Sequence, residues 1–399
     1  MTATGRPERE RRRVLVTSGL ADSGVDAARA LAAAGFEVIT ADFRRPLNLR
    51  SRHAAQHHAL PCDSEAAYAD ALLALVRRCR PDAIVPLGTR TVIAIARRRD
   101  EFAALTAFDV PTVEAFLAGH VKSRSIADCA ALGIPCPRVY APAEAAAALQ
   151  AGEVDRVVVK PDFDAGAALG LAYARTPAEL AAAIERCRAG FGSALVQEYI
   201  PGGVEAMKTV VLLFGAEAAL AAAFTTRKTR QWPPEGGVSV ASVSTAEREL
   251  ADLVLPFFRR WRWRGGAEVE LKLDPRDGVH KVIEINPRFP GYLRFAGHCG
   301  LALPVLTARL ALGEAGAMPA LYAYRTGVNY VAPTLFLGAV GRDLVRGRPL
   351  QTLQASRRQL AGTAAQIGAL LADPLPLVGR LVADVVDPSA GAGIYRVAT

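Results

Sequence analysis

Glu268-Val-Glu270-Leu-Lys-Leu-Asp274-Pro-Arg-Asp-Gly278-Val-His-Lys-Val-Ile-Glu284-Ile-Asn286-Pro-Arg288 decides how this chain is read. Its apolar and polar residues alternate and Pro and Gly punctuate the middle, which predicts two strands joined by a turn at Asp274 to Gly278. Residues two apart on a strand share a face, so Glu284 and Asn286 point one way, as do Glu268 and Glu270. Pairing the strands brings Glu270, Glu284, Asn286 and Arg288 together. Glu284 and Asn286 lie in an apolar strand, where polar groups on one face need partners. Hard oxygen donors that leave coordination positions open suit Mg²⁺ when it also holds the phosphates of a nucleotide. An arginine beside them can stabilise a phosphoryl group in transfer. Glu268 has a competing assignment, as a partner of Arg264 or Lys272.

Upstream, Lys122 precedes a helical stretch that runs to Gly133-Ile-Pro135-Cys-Pro137, and Lys160 ends the strand Val157-Val-Val-Lys. A burial-prone lysine at a strand end needs an anionic partner. The run Pro161-Asp-Phe-Asp-Ala-Gly166-Ala-Ala-Leu-Gly170 follows it. Next come Leu195-Val-Gln197-Glu198-Tyr199-Ile200-Pro-Gly-Gly203 and Glu205. In this order and spacing, over roughly residues 14 to 330, these segments resemble the ATP-grasp superfamily, in its carboxylate–amine ligase branch.

The resemblance implies an α/β and α+β fold: a Rossmann-like domain over 1–115, a small lid subdomain over 116–190, a large subdomain with the metal site over 191–334, and a helical C-terminal extension over 335–399. It also implies residue roles. Lys122 and Lys160 contact the phosphates of ATP, and a loop holding Gly166 and Gly170 closes over them. Gln197, Glu198, Tyr199 and Ile200 recognise the adenine, and Glu205 the ribose. Glu270, Glu284 and Asn286 bind Mg²⁺, for which Mn²⁺ can substitute. Arg288 neutralises the moving phosphoryl group together with Arg227 or Lys228, of which Arg227 is favoured because neighbouring strand residues face opposite ways. Tyr292, Arg294 and His298 are candidates for the acceptor pocket. The chain departs from the family pattern at Ala165, Ala167 and Ala168, where glycine or serine is usual, and Asp162 and Asp164 add negative charge near phosphate.

The reaction so implied joins a small-molecule carboxylate to an amine through an acyl phosphate, releasing ADP. The alternatives are a carboxyphosphate- or thioester-forming relative and a nucleotide-binding regulator with an impaired loop. A homodimer is the family habit.

Composition bounds these expectations. The chain has 399 residues, 51% of them apolar, enough for a buried core and two or three structural units. A formal charge of +9 invites a nucleic-acid reading, but no aromatic–basic ladder accompanies the arginines, so nucleic acid is not an expected partner. A positive field suits nucleotide and anionic substrate instead. Six cysteines without a CxxC pair read as free thiols of a reducing cytoplasm, with no secretion signal and no apolar run long enough to span a membrane.

The first third alternates strand and helix: Val14–Thr17, a helix over Ser23–Ala34, Phe36–Thr40 followed by Asp42, a helix over Glu65–Cys79, Ala83–Pro86 and a helix over Thr91–Arg98. This predicts a parallel sheet. The turn Ser18-Gly19-Leu-Ala-Asp-Ser-Gly24 is neither GxGxxG nor a phosphate-binding loop with a following Lys-Ser/Thr, which disfavours a dehydrogenase and makes the turn structural. Substrate contact is expected near Gly88-Thr89-Arg90, if anywhere in this unit. His53, His57 and His58 have partial metal-ligand spacing with no third ligand. The basic tail from Leu335 reads as a solvated face ahead of a membrane-surface one.

Overall fold

The computed structural model describes residues 11–19, 21–43, 50–61, 63–165, 168–234, 236–314, 316, 318–347, 349–376 and 378. The chain opens with β1 (Arg13–Thr17), α1 (Asp22–Ala33), β2 (Glu37–Asp42), β3 (Gln56–Ala59), α2 (Glu65–Cys79), β4 (Ala83–Val85), α3 (Thr89–Arg97) and α4 (Arg99–Ala103). The strands lie parallel in the order β3-β2-β1-β4. Val14 and Val16 face α1, whereas Leu15 faces α2 and α3, so successive residues of one apolar run fill two cores. Helix α1 starts against the turn after β1. A Cβ on Gly24 would lie 2.0 Å from the Ser18 carbonyl oxygen, so glycine permits this close approach.

Two helices follow, α5 (Val113–His120) and α6 (Lys122–Ala131). Then α7 (Pro142–Ala151), β5 (Val157–Lys160), β6 (Ala172–Ala174), α8 (Pro177–Phe191) and β7 (Leu195–Glu198) build a small unit around an antiparallel sheet ordered β6-β5-β7. The largest unit comprises β8 (Met207–Phe214), β9 (Leu220–Trp232), β10 (Val238–Thr245), α9 (Arg248–Arg260), β11 (Gly265–Asp274), β12 (Val279–Asn286), α10 (Arg294–His298), α11 (Leu303–Ala311) and β13 (Asn329–Val331). Its antiparallel sheet runs β12-β11-β8-β9-β10-β13. Helices α12 (Pro333–Val345), α13 (Pro349–Leu360) and α14 (Ala364–Leu371) follow.

The period of two decides what each face of the large sheet meets. Val210, Leu212, Val269 and Val282 pack under α5, α6 and α9. Val211, Leu213 and Phe224, on the other face, join a core shared with α1, α10 and α11. That second face also carries the acidic residues of β11.

The small unit is bounded differently from the sequence expectation of 116–190. β7 pairs with β5, Gln197 opposite Val158, so the small sheet extends through Glu198. At the other end α5 and α6 pack on the large sheet through Ala115, Ala118 and Cys129, which places the helix of Lys122 with the large unit. Local periodicity marks a strand but not the distant strand it pairs with.

Candidate active site

Strands β11 and β12 form a hairpin in which Glu268 stands opposite Asn286 and Glu270 opposite Glu284. On the other side of β11, Glu270 stands opposite Thr209 of β8, and Thr209 opposite Thr226 of β9. Lys228, two residues beyond Thr226, therefore joins the acidic face. Its Nζ donates to both Glu270 carboxylate oxygens at 3.0 Å and to the Gly237 carbonyl at 3.3 Å. Arg227, the favoured residue in the sequence reading, stands opposite Lys208 and turns to the reverse face, where it pairs with Glu205. Neither Arg227 nor Glu205 lines the cavity described below. Parity limits the site to one of the two neighbours, and the strand register selects Lys228.

The lysines arrive from two other elements. Lys122, at the first turn of α6, is buried and pairs with Glu284 at 2.9 Å. Lys160, at the end of β5, is buried too and donates to the Ile283 carbonyl at 3.3 Å. Burial pushes the Lys160 ammonium down to about 8, and repulsion from Lys122 adds to the effect. Asp162 binds the two segments together: its carbonyl accepts from Lys122 N at 2.8 Å, and its carboxylate accepts from Ser123 N and Oγ, both at 2.6 Å. It caps α6 and so does not stand as a free charge near phosphate.

Arg288 bridges the hairpin and the loop after β5, donating to Asp164 at 2.7 Å and lying 3.6 Å from Glu268. Glu268 also accepts from the Tyr292 hydroxyl at 2.8 Å and from Asn286 Nδ2 at 3.3 Å. Burial is the main cause raising its carboxyl above the usual range. Arg264, one of its expected partners, binds Asp109 instead, and Lys272 donates to the Ile200 carbonyl. Glu268 is thus a site residue that the sequence reading left uncommitted, although its shared face with Glu270 was the signal.

These groups line one cavity of about 690 Å³, within the range of small-molecule sites. Gln197, Glu198, Tyr199 and Ile200 line it from the β7 end, with the Arg156 guanidinium 4.7 Å from the centre of the Tyr199 ring. Glu198 is itself paired with Arg276. Among the described residues, buried Gln197 Nε2 and Asn286 Oδ1 have no hydrogen-bond partner. Leu169 and Leu171 contribute from the loop. Gly170 between them takes φ 77°, and a Cβ added there would meet the Phe191 ring at 2.5 Å. Gly166, expected in the phosphate cradle, lies outside the described residues, and Ala168 adopts φ 61°. Ala21, Asp22 and Ser23 at the start of α1 reach the cavity, whereas Gly88, Thr89 and Arg90 do not. Arg90 packs over the Tyr68 ring at 5.7 Å.

Of the three acceptor-pocket candidates, Tyr292 lines the cavity and Arg294 and His298 do not. Arg294 is buried with its Nε 2.5 Å from Asp26 of α1, an ion pair that joins the first unit to α10. Arg294→Met is expected to lower unfolding stability by about 2 kcal/mol, because the buried Asp26 carboxylate loses its buried partner and keeps only Arg29. The double change with Asp26→Asn should recover most of that loss in a denaturant titration. A single variant that kept its stability and lost only ligand affinity would return Arg294 to the acceptor site.

The donor set fits a hard divalent cation in part. Glu270, Glu284 and Glu268 are carboxylates, and Asn286 offers an orphaned amide oxygen. Among the described residues no three His, Cys, Asp or Glu side chains close a cation cage by themselves. An open set of this kind suits a cation that takes its remaining ligands from phosphate.

No protein-family model and no curated protein sequence matches the chain. Solved structures do. The biotin carboxylase domain of Hydrogenobacter thermophilus 2-oxoglutarate carboxylase, in complex with MgADP, ADP and bicarbonate, is similar at 16% identity and TM-score 0.61, over 81% of this chain and 74% of that one. N5-carboxyaminoimidazole synthetase from Staphylococcus aureus complexed with ADP is similar at 13% identity and TM-score 0.60, over 82% and 83%. An L-amino acid ligase from Bacillus licheniformis is similar at 16% identity and TM-score 0.56, over 76% and 75%.

Proposed function

We propose that this chain, whose fold is that of the ATP-grasp ligases, is an ATP- and Mg²⁺-dependent carboxylate–amine ligase. The observation that carries the reading is the convergence of Lys122, Lys160, Lys228 and Arg288 with Glu270, Glu284 and Asn286 in one cavity that Gln197 to Ile200 also line. Lys122 and Lys160 hold the nucleotide phosphates. The Gln197–Ile200 segment offers backbone groups and the free Gln197 amide to the adenine edge. Glu270, Glu284 and Asn286 hold Mg²⁺, which when bound neutralises phosphate charge and aligns the transferring group. Arg288, released from Asp164, stabilises the γ-phosphoryl group as the substrate carboxylate attacks it, and the amine then displaces phosphate from the acyl phosphate. Lys228 fixes the Glu270 carboxylate in place through both of its oxygens. Tyr292 and the start of α1 border the space left for carboxylate and amine.

The test is ATP consumption with Mg²⁺, pooled carboxylic and amino acids, and hydroxylamine as surrogate amine. ADP with a hydroxamate is the expected product pair. AMP would overturn the mechanism. ADP release that depends on bicarbonate and yields no hydroxamate would favour the carboxyphosphate-forming alternative, to which the likeness to a bicarbonate-bound carboxylase domain lends weight. ATP binding with no turnover on any acceptor would favour a regulator.

Lys160 gives an independent check on phosphate contact. Its ligand-free ammonium titrates near 8, below the ordinary lysine value, so the charge is present below that pH and lost above it. A bound polyanion favours the charged form and raises the pKa. Between about pH 8 and about pH 10, nucleotide binding should therefore take up protons and weaken as pH rises. Calorimetry in two buffers of different ionisation enthalpy measures the uptake. Lys160→Met should abolish it, and a wild-type protein that takes up none would place Lys160 away from phosphate.

A further inference from the structure

Helix α13 buries polar side chains and exposes apolar ones. In α13, Thr352, Ser356 and Gln359 are buried. Gln359 accepts from Arg230 Nε at 3.0 Å and donates to the Thr229 carbonyl at 3.1 Å. On the same helix Leu350 is 74% exposed and Leu353 57%. Helix α12, which packs against α13 and β10, buries Phe336 and Ala339 yet leaves Leu337 73% and Val345 88% exposed. Leu337 and Val345 are eight residues apart on one helical stripe, as Leu350 and Leu353 are at three. A surface helix ordinarily presents the reverse of the α13 pattern, and apolar side chains exposed on adjacent helices mark a place of contact.

The charges around this side choose its partner. Arg357 and Arg358 are exposed on the helix that carries Leu350 and Leu353. The segment 333–376 contains two acidic residues, and both are engaged elsewhere: Asp343 with Arg230 at 2.9 Å and Asp373 with Ser51 Oγ at 2.5 Å. We infer that the outward side of the α12–α13 hairpin seats the protein on a membrane surface that carries anionic lipid. The leucines enter the boundary of the acyl chains while the guanidinium groups meet the lipid phosphates. A second copy of this face fits less well, because apposition would set Arg357 and Arg358 of one copy near those of the other. No helix among the described residues is long and apolar enough to cross a membrane, so the attachment is peripheral. The inference does not depend on the ligase reading.

Flotation of the full chain with vesicles tests it, using phosphatidylcholine alone and phosphatidylcholine mixed with one-third phosphatidylglycerol. Binding is expected on the anionic vesicles, weakened by salt, and at least about tenfold poorer on the neutral ones. Arg357→Gln/Arg358→Gln should weaken it about twenty-five-fold, at about fivefold per arginine. Leu350→Gln/Leu353→Gln should weaken it by about tenfold or more. Because these side chains are exposed, both variants should melt at the wild-type temperature, which separates lost contact from lost fold. Equal binding to both vesicle types, no binding to either, or undiminished binding by the variants would overturn the assignment. So would a dimer in sedimentation that Leu350→Gln/Leu353→Gln disperses while no lipid is bound.

Discussion

Replacing Glu284 by Gln is expected to lower ATP turnover about a thousandfold, the loss of about 4 kcal/mol of transition-state stabilisation. Gln keeps the size of the side chain and one oxygen donor, but it removes the anionic charge that pairs with Lys122 and that the proposed Mg²⁺ site requires. The ligand-free protein should lose a smaller amount, about 1 kcal/mol, because Lys122 would keep a buried ammonium without its carboxylate while Glu284 is partly open to water. Steady-state turnover across a Mg²⁺ titration, set beside a thermal melt, separates the two effects. Saturating Mg²⁺ should not restore the rate, and wild-type turnover in this variant would remove Glu284 from the metal set.

Arg288→Met should reduce acyl-phosphate formation by about a thousandfold or more, while nucleotide affinity changes by only several-fold. The guanidinium is held between Asp164 and Glu268, on the loop and on the hairpin. It is thus placed to change partners as negative charge develops nearby. Arg288→Lys, which retains charge but not the planar fork, should recover part of the loss. Single-turnover trapping with hydroxylamine reads the chemical step, and nucleotide binding by fluorescence reads the ground state. If affinity collapsed and the trapped rate held, Arg288 would be a nucleotide-binding residue with no part in the transfer.

The hairpin was legible in the sequence because its information is local. A period of two across Glu268, Glu270, Glu284 and Asn286, with Pro and Gly at the turn, specifies both the strands and the face they share. The alternating first unit was legible for the same reason, with helix starts displaced by two residues or fewer. What escaped was set by distant partners. Lys228 and Arg227 are equivalent until the register of β9 against β8 and β11 is known. Arg294 looks like an acceptor ligand until Asp26 appears beside it, 268 residues away in sequence. The placement of β7 in the small sheet, and of α6 on the large one, likewise depends on packing that no local pattern records. In α13 only the fold reveals that Thr352, Ser356 and Gln359 took the buried positions and left Leu350 and Leu353 outside.

The acidic hairpin is accompanied from the outset by positive charge: Lys122 faces Glu284 and Lys228 faces Glu270. Crowded acidic ligands in small metalloproteins often leave the polypeptide unfolded until an ion arrives. Here the counter-charges are encoded in the chain, so folding is expected not to wait for a divalent ion. If the hairpin binds Mg²⁺ as proposed, removing the ion should stop turnover and leave the fold in place, so that adding it back restores activity without refolding.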